Sequence, residues 1–344
     1  MDQEPILSVQ HLNVKFSLRG KVLHAIRDVS LDLYKGETLA IVGESGSGKS
    51  VLTKTFMGLL DANGWIDSGS IIYNGHDLAQ YKTEKEWLTI RGKEIAMVLQ
   101  DPMTSLNPLK TIGAQIEEAL TLHQQLQGIA AHKAVIEFLT DVGITEPERR
   151  CKQYPHEFSG GMRQRVVIAI AMACKPKILI CDEPTTALDV TIQAQILHLI
   201  RNLVRKYDLT TVYITHDLGV VANVADRVAV MYAGDIVEIG TSREVFYDAR
   251  HPYTWALLSS LPQLGVKGEK LFSIQGTPPN LYHEIKGDAF APRNPHALKI
   301  DFEKRPPLFE ISPTHFARTW LLHPDAPKVE PPEVLKRLQQ EVSL

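Results

Sequence analysis

Short apolar runs and longer amphipathic stretches alternate along the first two thirds of the chain, and they predict strands and helices in turn. Thr38–Val42 has the composition of a short buried strand, and Val51–Leu60 behind it has the pattern of a helix. Lys177–Cys181 is a second apolar run, whose length favours a parallel strand buried on both faces. A last strand is predicted around Val228 to Ile239. Together these elements indicate an α/β fold.

Two apolar stripes with helical spacing lie between residues 110 and 145. The first is Ile112, Ile116, Ala119 and Leu120, and the second is Val135, Phe138, Leu139 and Val142. Gly143 ends the second predicted helix, as a glycine after a helix often does. Most of these residues are expected to pack in a core.

Prolines become dense after residue 250 and change the character of the chain. They stand at Pro252, Pro278-Pro279 and Pro306-Pro307. Proline at this spacing interrupts helices and strands alike. The pattern therefore predicts a small irregular domain from about residue 263 to the end.

The loop between the first predicted strand and helix has the pattern G-x-x-x-x-G-K-S, which holds nucleotide phosphates. Its glycines let several backbone N–H groups face one anion, and the helix N-terminus adds partial positive charge. Lys49 is expected to reach the β- and γ-phosphates, and the Ser50 hydroxyl to bind Mg²⁺. The predicted loop comprises Gly43, Glu44, Ser45, Gly46, Ser47, Gly48, Lys49 and Ser50.

Two carboxylates follow the second apolar run. Asp182 and Glu183 would lie at the carboxyl end of a parallel strand, where open α/β sheets bind their ligands. Asp182 is suited to a direct or water-mediated contact with Mg²⁺. Glu183 could polarise the water that attacks the γ-phosphate.

Residues Phe158–Arg165, with the sequence FSGGMRQR, resemble the signature motif of ATP-binding-cassette (ABC) ATPases. Met162 departs from the Gln that most of that family carries, while the serine and both glycines of the motif are present. Other family motifs stand in the same order: an adenine-stacking aromatic at Phe16, a Q-loop at Gln100, signature residues Ser159, Gly160 and Gly161, a D-loop at Ala187, Leu188 and Asp189, and a switch histidine at His216.

The resemblance implies a P-loop ABC ATPase core with an antiparallel β subdomain and a helical subdomain, plus the small irregular C-terminal domain. The expected boundaries are 1–262 for the nucleotide-binding domain, about 101–160 for its helical subdomain, and 263–344 for the C-terminal extension. It further implies ATP and Mg²⁺ as ligands, with Gln100 sensing the γ-phosphate and joining Ser50 and Asp182 at the metal. Glu183 and His216 would act in hydrolysis, and Ser159 and Asp189 would act across a dimer of cassettes.

Three segments resemble the corresponding segments of the oligopeptide and dipeptide importer ATPases, namely Asp101–Pro108, His251–Leu258 and Ile274–Leu281. The resemblance therefore covers essentially the whole chain. This implies an ATPase that drives oligopeptide uptake from the cytoplasmic face of the plasma membrane. Expected partners are a second, similar ATPase in a heterodimer, two membrane permeases and an external peptide-binding protein. Dipeptides, nickel, opines or antimicrobial peptides remain alternative cargoes, and a soluble ABC ATPase acting on DNA or ribosomes is a further alternative.

Composition limits the remaining possibilities. A net charge of −3 gives no reason to expect a nucleic-acid partner. The N-terminus lacks the layout of a signal peptide, and the apolar run Val166–Cys174 is too short to cross a bilayer. Cys151, Cys174 and Cys181 lack metal-ligand spacing, and an odd small number suits a reducing compartment.

The extension lacks a feature that many members of this subfamily have, namely four cysteines suited to an iron–sulfur cluster. Aligned on Gly287, Phe290 and His315, the four positions fall at Asp288, Asn294, Asp301 and Thr319, none of which supplies a thiolate. We therefore predict protein without such a cluster. The two carboxylates are expected to be solvated, with binding of a hard cation such as Ca²⁺ as the alternative. The extension would be held by apolar residues such as Phe290, Leu308, Phe309, Phe316 and Trp320.

Overall fold

Most of the elements predicted above are present in the computed structural model, which describes residues 4–186, 188–261 and 274–336. Ala187 of the predicted D-loop and the predicted domain boundary at 262/263 lie outside the described residues. The chain forms two compact units. The first comprises Met1–Leu33, Thr38–Gln80 and Thr215–Leu344, and the second comprises Tyr34–Glu37 and Tyr81–Ile214.

The strands are numbered in chain order: β1 (Leu7–Leu18), β2 (Lys21–Leu33), β3 (Thr38–Val42), β4 (Gly64–Tyr73), β5 (His76–Asp77), β6 (Ile95–Val98), β7 (Ile178–Asp182), β8 (Thr210–Thr215), β9 (Arg227–Tyr232), β10 (Asp235–Thr241), β11 (Phe309–Ser312) and β12 (His315–Ala317). The helices are α1 (Lys49–Thr55), α2 (Glu84–Trp87), α3 (Pro102–Ser105), α4 (Ile112–Gln124), α5 (Gly128–Asp141), α6 (Pro147–Arg150), α7 (Gly160–Ala173), α8 (Val190–Tyr207), α9 (Leu218–Val224), α10 (Ser242–Tyr247) and α11 (Pro252–Ser259).

An antiparallel sheet in the first unit has the strand order β2-β1-β4-β5. Along β1, Leu12, Val14 and Phe16 are buried while the intervening Asn13 and Lys15 are less so. This period-two alternation is typical of a strand with one face toward a core. The sheet corresponds to the antiparallel β subdomain that the resemblance implies.

The other strands of the first unit run in the order β11-β12-β10-β9-β3, with β3 parallel to β9 and the remaining pairs antiparallel. The single strand predicted around Val228 to Ile239 is wrong, because β9 and β10 form a hairpin. Its turn residues Ala233 and Gly234 have φ values of 48° and 81°, which suit a two-residue hairpin turn.

The C-terminal extension is less irregular than predicted. Its strands β11 and β12 form a hairpin, and Phe316 and Ala317 of β12 pair with β10 of the cassette. Pro306 and Pro307 precede this hairpin, so they do not remove donors from its ladder. The extension from residue 274 onward therefore belongs to the same compact unit as the phosphate loop.

The second unit contains the parallel strands β8, β7 and β6 in that order. Every residue of β7 is buried, which confirms the predicted two-sided burial of this strand. Both predicted apolar stripes are buried on α4, α5 and the residue after α5, and these helices contact α7. Gly143 follows α5 with φ 73°, as predicted for a helix-terminating glycine. Among the described residues, no helix combines the length and apolar character that a membrane span requires.

Candidate nucleotide-binding site

The phosphate loop of the first unit connects β3 to α1. Gly43 has φ 154°, and a Cβ there would lie 2.1 Å from the carbonyl oxygen of Met231. Gly48 has φ 104°, and a Cβ there would lie 3.0 Å from the carbonyl oxygen of Ala25. Both positions therefore require glycine. Helix α1 begins at Lys49 and ends at Thr55, earlier at both ends than the predicted 51–60, and Gly58 with φ 60° follows its last turn.

The Lys49 side chain packs against this loop, and only 4% of the residue's surface is exposed. Its Nζ donates hydrogen bonds to the carbonyl oxygens of Gly43 at 2.8 Å and Glu44 at 2.9 Å. The Ser47 hydroxyl is buried and has no hydrogen-bond partner among the described residues. Because buried hydroxyls are normally paired, a phosphate oxygen is a suitable partner for it. The residues of the loop thus fit a nucleotide phosphate.

Glu183, at the end of β7 in the second unit, has a backbone conformation that is uncommon for a residue with a side chain. Its φ is 46°, in the left-handed region, and its N–H donates to the carbonyl oxygen of Ile214 at 3.0 Å. Its Oε2 accepts hydrogen bonds from Gln100 Nε2 at 3.2 Å and Thr186 Oγ1 at 2.9 Å. Asp182, one residue before it, is 6% exposed. Asp182 and Glu183 thus lie at the carboxyl end of β7, as predicted, and Gln100, two residues after β6, contacts Glu183.

Thr186 was absent from the predicted site, although it is three residues beyond Glu183. An hydroxyl at this spacing after a functional carboxylate is a local signal, because a turn brings it back toward the carboxylate. It gives Glu183 a second donor besides Gln100. These two hydrogen bonds orient the carboxylate.

The predicted signature and D-loop residues begin helices of the second unit. Ser159 is the N-cap of α7, with Oγ accepting from Met162 N–H at 3.4 Å, and both Ser159 and Gly160 are exposed. A Cβ on Gly161 would lie 2.7 Å from Ile192 Cγ2, so the glycine permits close packing. Asp189 caps α8 by accepting from Ile192 N–H at 3.0 Å. Nucleotide contacts by these residues stay predictions.

Two further predicted residues lie in the first unit. Phe16 is on β1, as predicted, but its side chain is 8% exposed and its ring lies against Gly64, where a Cβ would approach it to 2.5 Å. His216 is exposed and directly follows β8. The adenine and γ-phosphate contacts assigned to them stay predictions.

The cysteines lack the properties of reactive or metal-binding thiolates. Burial raises the pKa of Cys174 to about 11 and that of Cys181 to about 12, so both remain thiols near neutral pH. Within the described ranges, no group of three or more His, Cys, Asp or Glu residues has the arrangement of a metal site. The raised pKa values support the interpretation of Cys174 and Cys181 as structural residues.

The four positions aligned with cluster cysteines are buried, so the expectation that their carboxylates are solvated is wrong. Asp288, Asn294, Asp301 and Thr319 are 8%, 7%, 1% and 1% exposed. Each side chain accepts a hydrogen bond from a nearby backbone N–H, of Phe290, His296, Leu298 and Leu321 respectively. Burial raises the pKa of Asp288 to about 7. Each of the four side chains therefore stabilises a local turn, while the predicted lack of an iron–sulfur cluster stays a prediction for iron and sulfide analysis.

Apolar packing of the extension is only partly as predicted. Phe290 is 1% exposed and packs against Tyr232 and Tyr253 of the cassette, and the Phe309 and Trp320 rings meet edge to face. Leu308, at 41% exposed, is not a core residue, because it lies between Pro307 and the start of β11 at the edge of the sheet.

Comparison with known proteins adds to this geometry. Residues 26–186 match the ABC transporter family, and residues 237–300 match the oligopeptide/dipeptide transporter C-terminal region. The oligopeptide transport ATP-binding protein AmiE of Streptococcus pneumoniae is 59% identical, over 99% of this chain and 96% of its own length. The chain belongs to the ABC transporter ATP-binding proteins.

A second relative and a solved structure are also similar to this chain. The oligopeptide transport ATP-binding protein OppD of Bacillus subtilis is 58% identical over 98% of this chain and 95% of its own length. The dimeric ATP-binding cassette MJ0796, solved in a post-hydrolysis state with ADP and Pi, is 27% identical with a TM-score of 0.62 over 69% of this chain and 99% of its own length. The predicted α/β ABC ATPase fold is thereby confirmed, and the protein is an ABC-type ATPase that binds nucleotide.

Proposed function

We propose that this protein is the ATP-hydrolysing subunit of an importer that takes up oligopeptides, bound peripherally at the cytoplasmic face of the plasma membrane. The observation that carries this proposal is the 59% identity with AmiE over 99% of this chain, because AmiE is named for oligopeptide transport. The match of residues 237–300 to the transporter C-terminal region adds support outside the cassette itself.

In this proposal, the phosphate loop binds the β- and γ-phosphates of ATP through backbone N–H groups and Lys49. Ser50, Gln100 and Asp182 would hold Mg²⁺, because hydroxyl, amide and carboxylate oxygens are the ligands it prefers. When bound, the ion neutralises charge on the phosphate oxygens. Phe16 would stack on the adenine.

Glu183 is proposed to orient and polarise the water that attacks the γ-phosphate. Its buried strand fixes the backbone, and hydrogen bonds from Gln100 and Thr186 support the orientation of its carboxylate. His216, exposed after β8, would contact the γ-phosphate. Loss of the γ-phosphate would then be reported through Gln100 to the segment around α3.

The site is proposed to be completed by a second ATPase subunit. Ser159, Gly160 and Gly161 would bind nucleotide held by that partner, and Asp189 would lie at the shared interface. The exposure of Ser159 and Gly160 at the start of α7 supports this role. Two membrane permeases and an extracellular peptide-binding protein would complete the importer, with the second ATPase most simply a similar but distinct chain.

The cargo can be tested by transport in the native host. A strain lacking this chain would be complemented with the wild-type gene or with Glu183→Gln, and uptake of labelled pentapeptides, dipeptides and Ni²⁺ would be measured. The proposal predicts pentapeptide uptake that is lost in the deletion, restored by the wild type and not restored by Glu183→Gln. Normal pentapeptide uptake in the deletion strain, with loss of dipeptide or nickel uptake instead, would contradict the proposed cargo.

A further inference from the structure

The C-terminal extension contacts the phosphate loop at Glu44. Arg293 donates to both carboxylate oxygens of Glu44, from Nη1 to Oε2 at 2.6 Å and from Nη2 to Oε1 at 3.0 Å. The backbone N–H of Glu44 donates to the Tyr253 hydroxyl at 2.8 Å, and its carbonyl oxygen accepts from Lys49 Nζ at 2.9 Å. Side chain, N–H and carbonyl of one loop residue are thus each held by a different partner.

Arg293 is itself rigidly held. It lies in the 3₁₀ turn Ala291–Arg293, and its side chain is 4% exposed. Its Nη1 also donates to the Tyr232 hydroxyl at 3.1 Å, and its Nε donates to the carbonyl oxygen of Gln275 at 2.9 Å. The guanidinium carbon lies 5.7 Å from the centre of the Tyr232 ring and 5.8 Å from that of Phe290. A planar, charged group fixed on several sides is well suited to orient a carboxylate.

The pairing matters energetically because both charges are largely removed from water. The Glu44 side chain is 27% exposed, and the hydrogen bonds to its carboxylate raise the pKa of Arg293. Removing one member of such a pair leaves the other charge poorly solvated. Without Arg293, the Glu44 carboxylate would lose the group that fixes it and would turn toward solvent, leaving Glu44 held only through its backbone, which contacts Tyr253 and Lys49. The backbone of Glu44 is also where Lys49 is bound.

We propose that Arg293 is a positioning residue for the phosphate loop, so that the C-terminal extension sets the ATP affinity of the cassette. Arg293 acts through Glu44, which keeps the loop and Lys49 in the arrangement that accepts phosphate. This rests on the proposed role of residues 43–50 in phosphate binding. If the loop without Arg293 adopts that arrangement about a tenth of the time, the apparent affinity falls about tenfold.

The test is a double-mutant cycle on the full-length purified subunit, with Mg-ATP binding measured by isothermal titration calorimetry. The variants are Arg293→Gln, Glu44→Gln, the double variant and Arg293→Lys, which keeps the charge but not the two-point contact. Ser312→Ala serves as a control, because it removes an extension-to-cassette hydrogen bond, to Glu244 on α10 at 2.6 Å, without touching the loop. Circular dichroism and thermal melts report folding.

The proposal predicts that Arg293→Gln and Glu44→Gln each raise the Kd about tenfold, and that the double variant is no worse than the weaker-binding single variant. Arg293→Lys is expected to fall between the wild type and Arg293→Gln, and Ser312→Ala to bind normally. If the rise in Kd of the double variant equals the product of the rises in the two single variants, the two residues act independently and the proposal is overturned. Normal ATP affinity in a folded Arg293→Gln variant would also overturn the proposal. If Arg293→Gln does not fold, normal ATP affinity in Arg293→Lys would overturn it instead.

Lys49→Ala separates this inference from the function on which it rests. Loss of ATP binding in Lys49→Ala together with a normal Kd in Arg293→Gln would overturn the inference alone. Normal ATP binding in Lys49→Ala would overturn the phosphate-binding assignment of the loop, and the positioning role of Arg293 with it.

Discussion

The surroundings of Glu44 and Glu183 differ in how they hold an acidic side chain. The Glu44 carboxylate, in the phosphate loop of the first unit, accepts hydrogen bonds from the buried side chain of Arg293, and the Glu44 backbone N–H donates to the hydroxyl of buried Tyr253. Glu183, in the second unit, accepts hydrogen bonds from Gln100 and Thr186, both exposed. Buried, multiply bonded groups keep one position, whereas exposed hydrogen bonds contribute less and exchange with water.

In the proposed mechanism, binding and hydrolysis therefore depend on groups that are supported separately. The loop around Glu44 has its support within the chain, through the aromatic residues and Arg293 of the extension. Exposed Ser159, Gly160 and Gln100 in the second unit leave surface that a second subunit can cover. Nucleotide binding should therefore be a property of the single chain, and fast turnover a property of the assembly.

The largest expected effect comes from Glu183→Gln, which separates hydrolysis from binding. The change keeps size and hydrogen bonding but removes the charge that orients water, so turnover in the assembled transporter should fall about 10²–10⁴-fold. The Kd for Mg-ATP should stay within about twofold, because the phosphate loop is untouched. Glu137→Gln, an exposed change on α5, is the matched control. Near-normal turnover in Glu183→Gln would refute its role as the base.

Phe290→Ala tests the packing behind the phosphate loop. Phe290 is 1% exposed, and its ring centre lies 5.3 Å from those of both Tyr232 and Tyr253. Removing such a ring should lower the free energy of unfolding by about 3–5 kcal/mol, measured by urea denaturation. Phe302→Ala, also in the extension but 56% exposed, should change it by less than about 0.5 kcal/mol. Equal effects of the two variants would contradict the proposed packing.

The smallest effect is expected from Thr186→Ala, which weakens the support of Glu183 without removing the carboxylate. Loss of one exposed hydrogen bond costs about 0.5–1.5 kcal/mol, so turnover should fall about two- to tenfold with ATP affinity unchanged. Thr140→Ala, which makes the same change at an exposed position on α5, should leave turnover unaltered. Weaker ATP binding with normal turnover in Thr186→Ala would contradict the account, because Thr186 would then support binding and not hydrolysis.

Features that depend on neighbouring residues could be predicted from the sequence. The strands β3 and β7 follow from continuous apolar runs, and α4 and α5 from stripes with a period near 3.6. Glycines at the phosphate loop and the carboxylates after β7 follow from spacing within a few residues. The β9–β10 turn was missed because Ala233-Gly234 sits inside a long apolar run with little polar interruption.

Contacts between distant parts of the chain could not be predicted in this way. Arg293 and Glu44 are 249 residues apart, and nothing near either residue signals the other. The pairing of β12 with β10 likewise depends on tertiary structure, since proline density around it favours irregular backbone. Burial of Asp288 and Asp301 was missed for the same reason: carboxylates in a loop are usually exposed unless a turn and a core happen to enclose them.

The most direct test of separate support for binding and hydrolysis compares the purified subunit alone with the subunit joined to the proposed partner ATPase and permeases. Mg-ATP binding and phosphate release would be measured on both samples, with the oligomeric state of the lone subunit checked by light scattering. We predict full-strength ATP binding by the monomer, slow turnover by the monomer, and a marked rise in turnover on assembly. Full turnover by a demonstrated monomer, or ATP binding only after assembly, would contradict the account.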